Sequence, residues 1–171
     1  MTDETPIPDD STHALAVDML GEVMGEIDRA DQKASLLIGS LGIAFSIVLS
    51  GILGGSWSPS SLSVVGTVLW ILGAIAASAS VVAAALAVWP RLSKGPGPGA
   101  ITYWGQVRGL ASPQAVAEAL EQRGLKPPER TYQQLLVLSA VVQKKYQHIR
   151  WSMMLAGVGV ALVIAAFFFV F

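Results

Sequence analysis

The chain has 171 residues, of which 53% are hydrophobic and 13% charged, against about 25% charged in an ordinary soluble domain. Its net charge of −1 hides a segregation: nine of the 12 acidic residues lie between Asp3 and Asp31, and nine of the 11 basic residues between Arg91 and Arg150. There is no cysteine, which excludes disulfides, thiolate catalysis and Cys-ligated metal.

Residues 1–10 form an acidic leader with Pro6 and Pro8, expected to be disordered, with Ser11 or Thr12 as the cap of the first helix. A leader of this length and sign does not resemble the basic start of a cleaved signal peptide. Val17, Leu20, Met24, Ile27, Asp31 and Ala34 then recur at alternating spacings of three and four, the pattern of a helical seam that packs against a partner. The segment 1–34 is therefore read as a cytoplasmic leader and amphipathic helix. No breaker separates it from the apolar stretch beyond Lys33, which predicts one continuous helix into the first span.

No Asp, Glu, Lys or Arg occurs between Lys33 and Arg91. About 20 apolar residues cross a bilayer core as a helix, so this stretch is long enough to cross twice. The run Gly54-Gly55-Ser56-Trp57-Ser58-Pro59-Ser60-Ser61 interrupts it with turn-forming residues. Membrane helices are expected at 35–53 and 62–89, joined by an external loop at 54–61. Gly39, Ser40, Gly42, Ala76, Ala77, Ala83 and Ala84 are small enough to let helices approach closely in lipid, or simply reflect ordinary membrane composition.

Residues 90–150 are read as a cytoplasmic helical module. Lys94-Gly-Pro-Gly-Pro-Gly99 is a linker, and its prolines lack the amide donors that a phosphate cradle requires. Tyr103 and Trp104 come next. Ser112 with Pro113 marks a helix start, Gly124 marks its end, and Pro127-Pro128 makes a corner. From Glu129 the pattern is helical without a break into a third span at 151–171, with Leu135, Leu138, Val142, Lys145 and Ile149 as a second seam.

The fold class is thus all-α: a polytopic membrane protein with three transmembrane helices whose helical cytoplasmic extensions form a small bundle. Arg29, Lys33, Arg91, Lys94, Lys144, Lys145 and Arg150 all flank the same side, and the loop around Trp57 and the C-terminus carry no basic residue. The positive-inside rule then sets the N-terminus in the cytoplasm and the C-terminus outside a cell membrane. Trp89 and Trp151 fall at the inner interface and Trp57 at the outer one. One chain offers only a thin bundle, so self-association into a homo-oligomer is expected.

Two seam positions are charged, Asp31 and Lys145. Counting about 1.5 Å per residue back from each span sets them at similar heights. They are expected either to pair across helices and fix register, or to line a cavity for a small polar ligand. Lys33, Lys144, Tyr146, Arg150, Tyr103, Trp104 and Arg108 lie near them in the topology; aromatic faces stack bases and cations neutralise phosphate, although Lys33, Lys144 and Arg150 also suit plain interfacial anchoring. His13 and His148 have no metal-ligand spacing, and no paired carboxylate, nucleophile elbow or glycine fingerprint occurs. An enzyme, a metal site, a cofactor and a nucleic-acid partner are therefore not expected. With no ionisable residue in the spans, neither is a proton relay.

Ala30-Asp31-Gln32-Lys33-Ala34 before the first span, Tyr103-Trp104-Gly105 after the second and Lys145-Tyr146 ahead of the third resemble the membrane effectors of bacterial Pycsar anti-phage defence. The resemblance extends over about residues 20 to 165, with Trp104 where the family pattern has Phe. It implies a protein of the bacterial inner membrane that binds cyclic UMP or cyclic CMP made by a partner cyclase, and then damages the lipid bilayer so that the infected cell stops growing. On that basis Asp31, Lys33, Trp104, Arg108, Lys145, Tyr146 and Arg150 are the candidate ligand contacts. Lys145 and Asp31 would form the polar core, Arg108 or Arg150 would assist the phosphate, and Trp104 or Tyr146 would meet the base. A structural membrane scaffold without ligand and a small constitutive channel are the competing readings.

Overall fold

A computed structural model describes residues 10–89, 101, 107 and 109–169. They form four α-helices, α1 (Asp10–Leu53), α2 (Val64–Val88), α3 (Pro113–Arg123) and α4 (Glu129–Phe167), with a 3₁₀ turn at Pro59–Ser61. No strand occurs among the described residues, only an isolated bridge between Ile101 and Gly124. The leader 1–9, the linker 94–99, Tyr103, Trp104 and Arg108 lie outside the described residues.

Local chemistry accounts for the helix ends. α1 runs unbroken through 44 residues, as the absence of Gly-Pro breakers predicts. Ser11 and Thr12 lie within its first described turn. It stops where Gly54 donates its amide to the Ser50 carbonyl at 2.9 Å. Gly55 comes next with φ of +71°, a left-handed conformation that favours glycine. Ser63 caps α2 by accepting from the Gly66 amide at 3.3 Å. Ser112 caps α3 by accepting from the Ala115 amide at 3.1 Å, with Pro113 in the first turn, and Gly124 ends it as expected.

Contacts divide the chain into two compact units, one drawn from Met1–Ile27 and Pro90–Val142, the other from Asp28–Trp89 and Gln143–Phe171. In the first, Ala16 and Ala119 are buried, and Ile101 is stitched to the end of α3 by its amide on the Arg123 carbonyl at 2.8 Å. His13 Nε2 lies 3.2 Å from the Thr131 hydroxyl and meets the Tyr132 ring edge-on at 6.5 Å.

The second unit holds the apolar lengths of α1, α2 and α4, each long and apolar enough to cross a membrane. Large side chains such as Leu36, Ile47, Val64, Ile75, Val82, Met153 and Ile164 face outward, as lipid-facing residues do. Between α2 and α4 the buried residues are mostly small: Gly66, Gly73, Ser80, Ala84 and Ala87 on one helix, Ser152, Gly159 and Ala166 on the other. A methyl group on Gly73 would stand 2.9 Å from the Gly159 carbonyl, and one on Gly159 would stand 3.0 Å from that of Gly73. Backbones this close leave room for hydrogen alone. The end that carries the 54–61 connection is tied by the Ser63 amide donating to the Phe169 carbonyl at 3.0 Å, and Trp57 covers it with ring contacts to Trp70 and Phe167 at 5.8 and 5.6 Å.

The α4 seam from Leu135 to Ile149 faces inward at all five positions. The α1 seam does so only in part. Leu20, Ile27, Asp31 and Ala34 are at least partly covered, but Val17 and Met24 are exposed, and their places are taken by Ala16 and Val23. Small alanines let the helices come close, which rotates the larger neighbours to the flank.

Candidate functional site

Asp31 lies one residue after the buried Ala30 and three before the buried Ala34 on α1; Lys145 lies four before the buried Ile149 on α4. About one helical turn separates each charged residue from a core anchor, so both are carried to the same helix contact. There Lys145 Nζ donates to Asp31 Oδ1 in a direct ion pair. The two sides of the pair differ: the Lys145 side chain is 8% exposed and that of Asp31 is 39% exposed. Beneath the pair, Ala30, Ala34, Ala87 and Ile149 form a core cluster, flanked by Leu37, Val88 and Tyr146. The three apolar helices therefore meet at the point where the pair sits, with α2 represented by Ala87 and Val88.

A second contact joins the same helices in the opposite sense. Lys33 of α1 holds its ammonium 5.2 Å above the Tyr146 ring of α4, within range of a cation–π attraction. Each helix thus offers one cation and one electron-rich partner. Arg150, a little more than one turn beyond Tyr146, is exposed, as is Lys144. Of the seven candidate contacts, five are described: Asp31, Lys33, Lys145 and Tyr146 come together, and Arg150 stands at the edge. Trp89 and Trp151 are 67% and 62% exposed, which leaves their rings available to a headgroup layer.

This arrangement holds a buried cation beside a half-exposed anion and an aromatic face. In this arrangement the buried ammonium already has Asp31 as its counter-ion. Among the described residues no group of three His, Asp or Glu is placed to hold a metal ion.

Two features escaped the sequence. Ser80 and Ser152 are wholly buried, the Ser80 hydroxyl donating to the Ser152 carbonyl at 2.8 Å with the two hydroxyls 3.1 Å apart. Their spacing of seven from Gly73 and Gly159 was the available signal. Tyr132 buries its hydroxyl without a hydrogen-bond partner, and nothing in the local sequence announces that.

Comparison with known families matches residues 15–171 to the Pycsar effector protein domain. No curated protein and no solved structure matches the chain. With the match covering nearly its whole length, the chain belongs to the Pycsar effector family, and with three helices apolar enough to cross a bilayer it is an anti-phage transmembrane effector. The family implies, in general terms, a cyclic pyrimidine nucleotide signal and a cyclase that makes it.

Proposed function

From that membership we propose that the chain senses cyclic UMP or cyclic CMP, produced by a partner cyclase during phage infection, and answers by impairing the bacterial inner membrane, halting growth of the infected cell. It does this without catalysis of its own. The N-terminus lies in the cytoplasm and the C-terminus outside, so the ligand is met from the cytoplasmic side. Several copies assemble, since a lesion in a bilayer needs more wall than three helices provide.

The observation that carries this reading is the buried ammonium of Lys145, paired to Asp31 where three helices converge. A cyclic mononucleotide carries a single negative charge on its phosphodiester, so one ammonium with a peripheral guanidinium matches it without excess. In low dielectric such a charge-assisted hydrogen bond is stronger than at the surface. The Tyr146 face suits a pyrimidine ring, with stacking worth about 1–3 kcal/mol per base. Lys33 and Arg150 add positive potential, and Trp104 and Arg108 are assigned to the site from the sequence.

Binding of cyclic UMP, cyclic CMP and cyclic AMP to the detergent-purified protein, measured by calorimetry, tests the proposal. Selective binding of one pyrimidine nucleotide, lost in Lys145→Ala, is the expected result; binding of none of the three would overturn it. One observation favours a second reading, a scaffold whose charges only fix register: Lys145 already has Asp31 as its counter-ion. A scaffold would keep its behaviour when both charges are replaced together.

A further inference from the structure

We infer that the Asp31–Lys145 pair is a latch: it holds the effector silent, and the anionic ligand works by taking Asp31's place on Lys145, which releases α1 from the α2–α4 pair. This rests on the nucleotide-sensing reading for the identity of the ligand, but not for the existence of the latch.

The unit formed by Asp28–Trp89 and Gln143–Phe171 contains two unlike helix contacts. α2 and α4 are joined along their whole apolar length, by glycine-to-backbone approach at Gly73 and Gly159, by the buried Ser80–Ser152 hydrogen bonds and by the Ser63–Phe169 tie. α1 is held at one end. Its buried residues in this unit are Ala30 and Ala34, and none from 35 to 53 is buried. Within this unit, what retains α1 is therefore the small alanine cluster with Leu37 packed on it, the Asp31–Lys145 pair and the Lys33–Tyr146 contact, grouped at one end of the helix length.

The asymmetry of the pair makes it exchangeable. Leaving a buried ammonium without a counter-ion is strongly unfavourable, so Lys145 requires an anion at all times. Asp31, 39% exposed, is already partly hydrated and loses little on leaving. A phosphodiester that replaces it keeps Lys145 compensated, so exchange is far less costly than rupture. Simple insertion is sterically closed: Ala30, Ala34, Ala87 and Ile149 are at most 4% exposed, and a nucleotide has no room among them while α1 stays. Ligand and α1 therefore compete for one site, which is the differential affinity that any ligand-driven change requires. Withdrawal of Lys33 with α1 also uncovers the face of Tyr146 that it now covers.

The first test needs no nucleotide. Asp31→Asn, expressed without a cyclase, strands the Lys145 charge and should raise propidium iodide uptake by about tenfold or more over wild type at equal membrane abundance. Asp31→Asn with Lys145→Met removes the buried charge as well, and should return uptake to the wild-type level. A silent single variant at normal abundance would overturn the latch, and so would a double variant as leaky as the single one. If Asp31→Asn fails to accumulate, Leu37→Cys in this cysteine-free chain reports on wild-type charges. Its maleimide labelling in vesicles should rise roughly fivefold when cyclic UMP or cyclic CMP binds, and unchanged labelling with measured binding overturns the latch. Absence of binding refutes the sensing proposal alone and leaves the latch to Asp31→Asn, inserted by cell-free synthesis into dye-loaded vesicles where cells do not accumulate it; vesicles as tight as with wild type would overturn the latch.

Discussion

Lys145 was legible as a residue because it broke an apolar seam, and Asp31 for the same reason; a fixed helical rise was enough to set them opposite each other. What the sequence could not supply was which member is buried, since that depends on how closely Ala30, Ala34 and Ala87 draw the helices together. The burial asymmetry gives an unequal mutational outcome. Removing the half-exposed carboxylate strands a buried ammonium, whereas replacing the ammonium by a thioether of similar length leaves an anion that water reaches. Asp31→Ala should therefore lower stability by about 2 kcal/mol more than Lys145→Met does, read as thermal unfolding of the nucleotide-free protein in detergent. Equal losses would mean that the pair is equally hydrated on both sides. Ser80 and Ser152 were illegible for a different reason: in an alanine-rich span a serine looks like any small residue until its partner is known. Ser80→Ala should cost about 0.6 kcal/mol, the average for an interhelical hydrogen bond in lipid, read in the same unfolding measurement.

At the scale of elements, charge-free length and turn residues sufficed to find α1, α2 and α4, and the Ser112-Pro113 and Gly124 signals bounded α3. The error lay in the facing of α1. Large apolar residues dominate any periodicity count, so Val17 and Met24 entered the expected seam, yet close packing selects smaller side chains, and Ala16 and Val23, each one residue earlier, hold those positions. The same preference separates the glycines. Gly73 abuts the Gly159 carbonyl, and a methyl there already falls at 2.9 Å, whereas one on Gly39 meets nothing within 4 Å. Gly73→Leu should destabilise the α2–α4 pair by about 1–3 kcal/mol through overpacking. Gly39→Leu should instead gain up to about 1 kcal/mol from helix propensity when the single chain is measured. Circular dichroism during detergent unfolding separates the two, and a Gly39→Leu protein as damaged as Gly73→Leu would show that the open side of α1 is covered by another copy.

For the whole molecule, membrane character was the most legible property, because an exclusion of charge from 34 to 90 and again from 151 to 171 has no economical explanation in a soluble core of this size. Orientation rests on a different feature, the placement of Lys and Arg. Of the basic residues that flank spans, Arg29 and Lys33 precede the first, and Lys144, Lys145 and Arg150 precede the third, while the 54–61 connection has none. Translocating that uncharged loop is the cheaper arrangement, since basic residues near a span are retained on the cytoplasmic side. A cysteine placed at Ser58, which lies exposed in the connection between α1 and α2, should then react with an impermeant maleimide on intact cells. One at Lys144, also exposed, should react only after permeabilisation. The opposite pattern would put Asp31 and Lys145 outside the cell, beyond the reach of any nucleotide made in the cytoplasm, and the effector would then have to receive its signal through another part of the chain.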